Sequence, residues 1–153
     1  MGQHSDWINK ENVASYEVRV GDIYYGYHMG NDKAMLVFHD ARLKFLESLG
    51  FSEKNIGGPG IIMRDAHVNF RKEVYLHDEL TVDVGIENVS NSAFEMVYTV
   101  RRIKKSQQSA VSGQQSDDGE VVFTGNTGLV AFDYERKRPV RLPEEFLLKI
   151  AGK

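Results

Sequence analysis

Three side chains that can carry acid–base or acyl-transfer chemistry lie close together in the first third of the chain: His28, Asn31 and Asp32. The residues after them, from 33 to 49, repeat apolar side chains at helical spacing, which predicts that a long helix begins at this point. The first turn of a helix has unpaired backbone N–H groups and a partial positive charge, so it can polarise a carbonyl and hold an oxyanion. The cluster is therefore suited to attack on a carbonyl carbon.

A fourth candidate, His39, lies two helical turns after Asp32 on the same predicted stripe of the helix. Among apolar neighbours its pKa could be displaced from about 6.5, and the ring could then serve as a base or as an orienting group. Each of these residues also has an ordinary structural interpretation. Asn31 or Asp32 could simply cap the helix. His39 could be a core or interface histidine, and His28 could pack within its loop.

Composition limits the functions open to the chain. With 153 residues and no cysteine, it has the length of one domain, residues 1–153, and no disulfide, thiolate-metal site or cysteine nucleophile. A formal net charge of −3 gives no whole-molecule reason to expect nucleic acid as a partner. The five histidines lack zinc-site spacing. For this reason we expect no metal. No segment is apolar enough for a signal peptide or a membrane span, so we expect a cytoplasmic protein.

The rest of the sequence predicts the elements that must position the candidate residues. A strand is expected over residues 15–20, followed by a helix from Asn31 or Asp32 to about Leu49, which Gly50 ends. Further strands are expected at Ile61–Phe70, Glu79–Val89, Phe94–Ile103 and Val121–Asp133, with a short helix at Pro143–Ile150. The Ser- and Gln-rich segment Lys104–Gly119 is expected to be a mobile hairpin loop. A long helix beside antiparallel strands predicts an α+β fold.

The predicted helix has an unusually wide apolar face. On a helical wheel, one side is formed by Ala34, Phe38, Ala41, Phe45 and Leu49. Met35 and Leu46 widen this side, and Leu36 and Leu43 extend it further. An arc of this width predicts a helix that is covered on most sides.

The segment from Val18 to Leu49 resembles a known enzyme family. Asp22, His28 and Asn31 match the first Asp, the His and the last Asn of a D-x-D-x-x-G-H-V-N-N pattern. Ala41-Arg42 matches the end of an E-x-A-R pattern in the helix that follows. Both patterns resemble those of the acyl-CoA thioesterases related to 4-hydroxybenzoyl-CoA thioesterase. The segments HVNFRKEVYLHDEL and LVAFDYERKRPVRLPEEF are also similar to this family, so the likeness covers nearly the whole chain.

The resemblance implies the hotdog fold, in which an antiparallel sheet wraps around a long central helix. It also implies hydrolysis of an acyl-CoA thioester by a homodimer or homotetramer. Coenzyme A would be part of the substrate, and no other cofactor would be needed. Two alternatives stay open: a hotdog hydratase or dehydratase that acts on acyl thioesters, and a non-catalytic acyl-CoA-binding module.

Asp22 and Gly30, which lie within the matched pattern, are candidates for substrate contact. Tyr24 and Tyr27 are further candidates, because with Tyr25 they form an aromatic cluster at the mouth of the expected site. The tyrosines could line an acyl pocket or pack at a dimer seam. Because CoA is anionic, basic side chains are expected to bind it. The first candidates are Arg101 and Arg102, with Lys104 and Lys105 after them, and Arg71-Lys72 is the second.

The chain departs from the family at residues that carry its chemistry. Tyr24 stands where the family has its second Asp, usually cast as nucleophile or general base. His39 replaces the helix Glu, Gly30 replaces the first Asn, and Asp32 is an additional acid. The missing carboxylate leaves Asp22, Asp32 and Asp40 as replacements, or a mechanism through a histidine, and we assign base function to Asp32 with His39. His28 and Asn31 would position the substrate or a water molecule.

Overall fold

The computed structural model describes residues 7–24, 28–103 and 119–152. Tyr27, Lys104, Lys105 and all of the predicted mobile loop except Gly119 lie outside these ranges. The described chain forms β1 (Asn9–Glu17), α1 (Ala34–Ser48), β2 (Gly60–Phe70), β3 (Glu79–Glu87), β4 (Ala93–Arg102), β5 (Glu120–Asp133), β6 (Arg138–Pro139) and α2 (Glu144–Ile150). Two short 3-10 turns, Val20–Asp22 and Asn31–Lys33, lie between β1 and α1.

The strands form one antiparallel sheet in the order β1-β3-β4-β5-β2, with β6 paired to the end of β5. Along β4, buried residues alternate with partly exposed ones, as expected for a strand with one face on a core. Tyr98 of β4 meets the helix directly, because Phe38 of α1 stacks on it with ring centroids 4.3 Å apart. An antiparallel sheet packed on one long helix is the predicted α+β hotdog architecture, and this prediction is confirmed.

Most predicted element boundaries are also confirmed, but β1 is not. It covers Asn9–Glu17 rather than 15–20. The chain leaves the sheet early because Asp22 bonds back to Arg19. The backbone N–H of Asp22 donates to the Arg19 carbonyl at 2.8 Å, and its carboxylate accepts from the Arg19 N–H at 3.0 Å. These bonds close the 3-10 turn that ends the extended segment.

The start of α1 also differs from the prediction. A 3-10 turn at Asn31–Lys33 precedes the α-helix, which begins at Ala34. Gly30 precedes the turn and Lys33 precedes the α-helix, and neither position has a side-chain cap. The expectation that Asn31 or Asp32 caps the helix is therefore wrong. The end of α1 is as predicted, since Gly50 follows it with a φ of +87° that favours glycine.

α1 buries one broad face and exposes one stripe. The residues predicted to face the core are buried, namely Ala34, Phe38, Ala41, Phe45 and Leu49. The predicted widening of this face is confirmed, because Leu46 is buried and Met35 packs against the core. The predicted extension to Leu36 and Leu43 is wrong for the single chain, because they are 48% and 40% exposed. The buried face includes the charged residue Arg42 instead, which is 6% exposed.

β2 is an edge strand of the sheet, with β5 as its neighbour within the described chain. Its second half is largely exposed, and Met63 and Phe70 are each 46% exposed. An uncovered strand edge can pair with another chain. None of the helices in the described ranges has the length and apolar character needed to cross a membrane.

Candidate active site at the start of the long helix

The loop before α1 is held in place by Asp22. This residue is 7% exposed, and its two carboxylate oxygens accept hydrogen bonds from the Tyr16 hydroxyl at 3.1 and 3.2 Å. Its carbonyl accepts from the Gly30 N–H at 2.9 Å, which fixes the residue that precedes the helix start. Asp22, predicted to contact substrate, therefore lies inside the chain and positions the loop.

The pKa of Tyr16 reports this environment. Burial raises the pKa of the Tyr16 hydroxyl to about 12, and the negative charge of Asp22 and the hydrogen bond to it add to the shift. The hydroxyl thus remains a donor to Asp22 across the neutral range.

The candidate residues His28 and Asn31 lie on a segment that is tied to the chain after β2. The Met29 N–H donates to the Val74 carbonyl at 2.6 Å, and His28 pairs with Tyr75 in a single antiparallel β-bridge. These bonds fix two walls of a cavity of about 330 Å³. Its apolar lining is formed by Met29, Phe70, Val74 and Phe123, and its polar lining by His28, Asn31, Arg71, Lys72 and Glu73.

A second cavity, of about 210 Å³, shares His28, Met29 and Asn31 with the first. It is lined by Tyr24, His28, Met29, Gly30, Asn31 and Asp32. Gly30 leaves little space here, because a Cβ on it would lie 2.7 Å from Asp32 Oδ1 and 3.2 Å from the Tyr24 ring. The structure thus brings together five of the predicted site residues that it describes: Tyr24, His28, Gly30, Asn31 and Asp32.

Backbone donors are available at this point. Within the described ranges, neither the N–H of Asn31 nor that of Asp32 donates a hydrogen bond to another residue. The Lys33 N–H is used internally, since it donates to the Gly30 carbonyl at 3.0 Å. Two unpaired amides in the first turn of a helix can stabilise negative charge on a carbonyl oxygen.

His39 does not lie at the helix start. Seven residues of helix separate it from Asp32 by about 10 Å along the axis, and it lines neither cavity. Its Nε2 lies 3.0 Å from a carboxylate oxygen of Glu53, and its side chain is 46% exposed. Within one chain, His39 and Asp32 are therefore separate groups.

A polar network lies beneath α1 and was not predicted from the sequence. Arg42 donates to Glu53 at 2.8 Å and to the Tyr98 hydroxyl at 2.9 Å, and that hydroxyl lies 2.7 Å from the Thr127 hydroxyl. Burial opposes ionisation of Glu53, but hydrogen bonds from Arg42 and His39 outweigh it and lower the Glu53 pKa. The sequence did contain one indication of this network, which is Arg42. A charged residue on the apolar face of a helix needs an opposite charge nearby.

The basic residues at the end of β4 are already paired. Arg101 binds Asp83 at 3.2 Å. Arg102 binds Asp78 at 2.9 Å and also pairs with Glu120. The cations predicted first for CoA thus neutralise carboxylates of this chain. The second candidate, Arg71-Lys72, lines the larger cavity.

Solved structures of similar fold include thioesterases. A 1,4-dihydroxy-2-naphthoyl-CoA thioesterase from Synechocystis is 17% identical over 93% of this chain and 95% of its own, with a TM-score of 0.73. A Staphylococcus aureus protein in complex with CoA is 18% identical over 98% and 86%, with a TM-score of 0.75. A DHNA-CoA thioesterase from Staphylococcus aureus is 20% identical over 88% and 80%, with a TM-score of 0.70. At these identities the likeness shows the shared fold.

Sequence comparison adds the family. No match was found among curated protein sequences. A family model described as the thioesterase-like superfamily matches residues 18–150, which is most of the chain and includes the whole candidate site. The resemblance found in the sequence is thus confirmed, and this chain belongs to the thioesterase-like superfamily.

Proposed function

We propose that this protein hydrolyses acyl-CoA thioesters. The observation that carries the proposal is the pair of amides at Asn31 and Asp32, which have no acceptor among the described residues. They lie beside His28 and two cavities, the larger of which is partly apolar. A thioester substrate fits these features, because its acyl part is often apolar and its carbonyl oxygen becomes negative in the transition state. Membership of the superfamily supports the same activity.

The proposed reaction is addition of water to the thioester carbonyl. The Asp32 carboxylate takes a proton from water as the oxygen adds to the carbonyl carbon, and the amides hold the oxyanion. The carbonyl then re-forms, the C–S bond breaks, and the CoA sulfur leaves with the proton from Asp32. His28 and Asn31 orient the water or the thioester. No cofactor besides the CoA of the substrate is required, and we place the reaction in the cytoplasm.

The proposal includes a homodimer, because His39 needs a second copy to reach the site. Leu36, His39 and Leu43 form an exposed stripe on α1, and the β2 edge is also uncovered. If two copies of α1 cross antiparallel at Leu36, His39 of one copy lies opposite Asp32 of the other. The shared base function predicted from the sequence would then operate between protomers.

The test of this function is a panel of acyl-CoA substrates of different chain length, with detection of the free thiol that hydrolysis releases. We expect thiol release together with free acid for at least one substrate. Mass analysis of the products separates hydrolysis from hydration of an acyl double bond, since hydration leaves the thioester intact. Hydration without thiol release would contradict the proposal.

One observation favours a second candidate, a non-catalytic acyl-CoA-binding module. Tyr24 occupies the position of the family's catalytic Asp, and its side chain is 58% exposed beside Gly30. A protein that binds acyl-CoA with unchanged affinity after Asp32→Asn, and releases no thiol from any substrate, would support this second function.

A further inference from the structure

The larger cavity beside His28 carries a positive charge that the reaction itself does not use. Its lining includes Arg71, which follows β2 directly and is exposed. The chemistry proposed for the carbonyl needs donors at the helix start and a base, and neither role requires an arginine in the opposite wall.

Arg71 differs from the arginines at the end of β4 in having no partner among the residues that the structure describes. Arg101 and Arg102 are bound to carboxylates. The backbone N–H of Arg71 is bonded, but within the described ranges its side chain makes no ion pair and no hydrogen bond. Its planar group of donors is therefore free to bind a carboxylate or a phosphate in bidentate fashion.

The backbone holds Arg71 at the cavity. The N–H groups of Arg71 and Lys72 both donate to the Val122 carbonyl, at 2.9 and 3.0 Å. A few residues further on, Val74 accepts the hydrogen bond from Met29 on the His28 segment. The side chain thus projects from a segment bonded to both neighbouring parts of the structure, so its distance from the reacting carbonyl is restricted.

We propose that Arg71 forms a subsite for an anionic group of the substrate in the larger cavity, which shares His28, Met29 and Asn31 with the smaller cavity that Asp32 lines. This rests on the proposed function. The anion could come from a carboxylate on the acyl part or from a phosphate of CoA. The acyl carboxylate is the nearer source, because the extended pantetheine arm that separates the sulfur from the phosphates is longer than a cavity of about 330 Å³ is wide.

Neighbouring charges agree with this assignment. Lys72 adds a second cation to the lining, although it lies 3.7 Å from Glu120. The acid in the lining, Glu73, accepts a hydrogen bond from the Tyr75 hydroxyl at 3.0 Å, and its carbonyl accepts one from Arg102 at 2.9 Å. These contacts hold Glu73 in place, and among the described residues it makes no ion pair with Arg71.

The experiment compares Arg71→Met with wild type on four thioesters: adipoyl-CoA, hexanoyl-CoA, and the N-acetylcysteamine thioesters of the same two acids. The acids differ in a terminal carboxylate, and the carriers differ in the phosphates. Arg136→Met is the matched control, because it removes an arginine that is 68% exposed in the turn after β5. We expect Arg71→Met to lower kcat/KM for both adipoyl substrates by about 10- to 100-fold, with hexanoyl substrates and the control unchanged.

Each other result has a defined meaning. A loss confined to the two CoA thioesters keeps the anion subsite and assigns it to a phosphate. An equal loss on all four substrates, or no loss on any, overturns the proposal.

If wild type hydrolyses none of the four thioesters, calorimetric titration with adipate and with CoA gives a separate reading. Weaker binding of either ligand by Arg71→Met, but not by Arg136→Met, would keep the subsite while the proposed hydrolysis fails. Unchanged binding of both would overturn the subsite as well.

Discussion

At the scale of single residues, the start of α1 combines a crowded glycine, an exposed tyrosine and an acid that has no partner among the described residues. Gly30 is buried, and its N–H bonds to Asp22. Asp32 Oδ1 lies close to Gly30, and within the described ranges the carboxylate makes no hydrogen bond or ion pair. An acid that stabilises nothing in the chain is free to act on a ligand, whereas the bonded Asp22 is not.

We predict that Asp32→Asn lowers kcat by roughly 10²- to 10⁴-fold, because it removes a positioned base. Stability should change by less than about 0.5 kcal/mol, since the side chain does not cap the helix. Steady-state kinetics and urea unfolding measure the two effects. Asp40→Asn is the control, as Asp40 pairs with Lys44 on the outer face of α1. Full activity in Asp32→Asn would assign the base elsewhere.

At the scale of elements, the position of the site depends on two polar attachments. Tyr16 of β1 holds the turn that carries Asp22, and Glu53 after α1 holds Arg42 beneath the helix. Neither attachment touches a cavity at the helix start. Each attachment fixes one end of the segment that contains the candidate residues. We therefore expect a substitution in either attachment to act by changing the free energy of unfolding.

For Tyr16→Phe we predict that the free energy of unfolding falls by about 1 kcal/mol at pH 7, which is the usual contribution of one hydrogen bond. The folded protein raises the Tyr16 pKa from 10.0 to about 12, so its contribution is complete below pH 10 and is lost as the pH rises towards 12. Wild type and variant should therefore converge in stability at alkaline pH. Tyr24→Phe, which removes an exposed hydroxyl, should leave the melting temperature unchanged. A constant difference between wild type and Tyr16→Phe up to pH 12 would contradict the assignment.

Glu53→Gln should show the opposite pH dependence. The fold lowers the Glu53 pKa from 4.5, so the carboxylate contributes stability above about pH 4.5 and loses it as the pH falls through the folded pKa. At pH 7 we predict a loss of about 1–3 kcal/mol, because Arg42 keeps a hydrogen-bond acceptor but loses its opposite charge. Urea unfolding at pH 7 and pH 3.5 measures this difference. If the difference in unfolding free energy between wild type and variant is not smaller at pH 3.5, the Glu53–Arg42 pair contributes little to stability.

At the scale of the whole molecule, the chain exposes surfaces that an isolated domain does not need. The β2 edge and the α1 stripe of Leu36, His39 and Leu43 are both uncovered. Leucines on a helix that already buries a full face are best explained by contact with a second copy, which the proposed dimer supplies.

We predict a dimer in sedimentation velocity at micromolar concentration. Replacing both Leu36 and Leu43 by Lys should raise the dimer dissociation constant at least about tenfold, because charge is placed in an apolar contact. Leu148→Lys is the control, since Leu148 is 66% exposed on α2, away from the stripe. A monomeric wild type would remove both the dimer and the role of His39 from the proposed mechanism.

The sequence by itself determined the fold and the grouping of the candidate residues. Strand alternation, the helical spacing from Ala34 to Leu49, and Gly50 at the helix end are local patterns that follow from backbone geometry. The clustering of His28, Asn31 and Asp32 at the helix start is likewise a matter of chain proximity. These features were predicted correctly because each depends on residues a few positions apart.

Only the tertiary structure decided which charged groups are free. Arg101 and Arg102 follow one another in the chain, but carboxylates from distant parts of the chain pair with them. His39 bonds to Glu53, and Asp22 is buried against Tyr16, so neither lies free at the helix start. A single sequence does not specify such partners, because the bonds join segments that meet only when the sheet closes on the helix. Whether an ionisable group acts on a ligand or on its own chain is therefore set by packing.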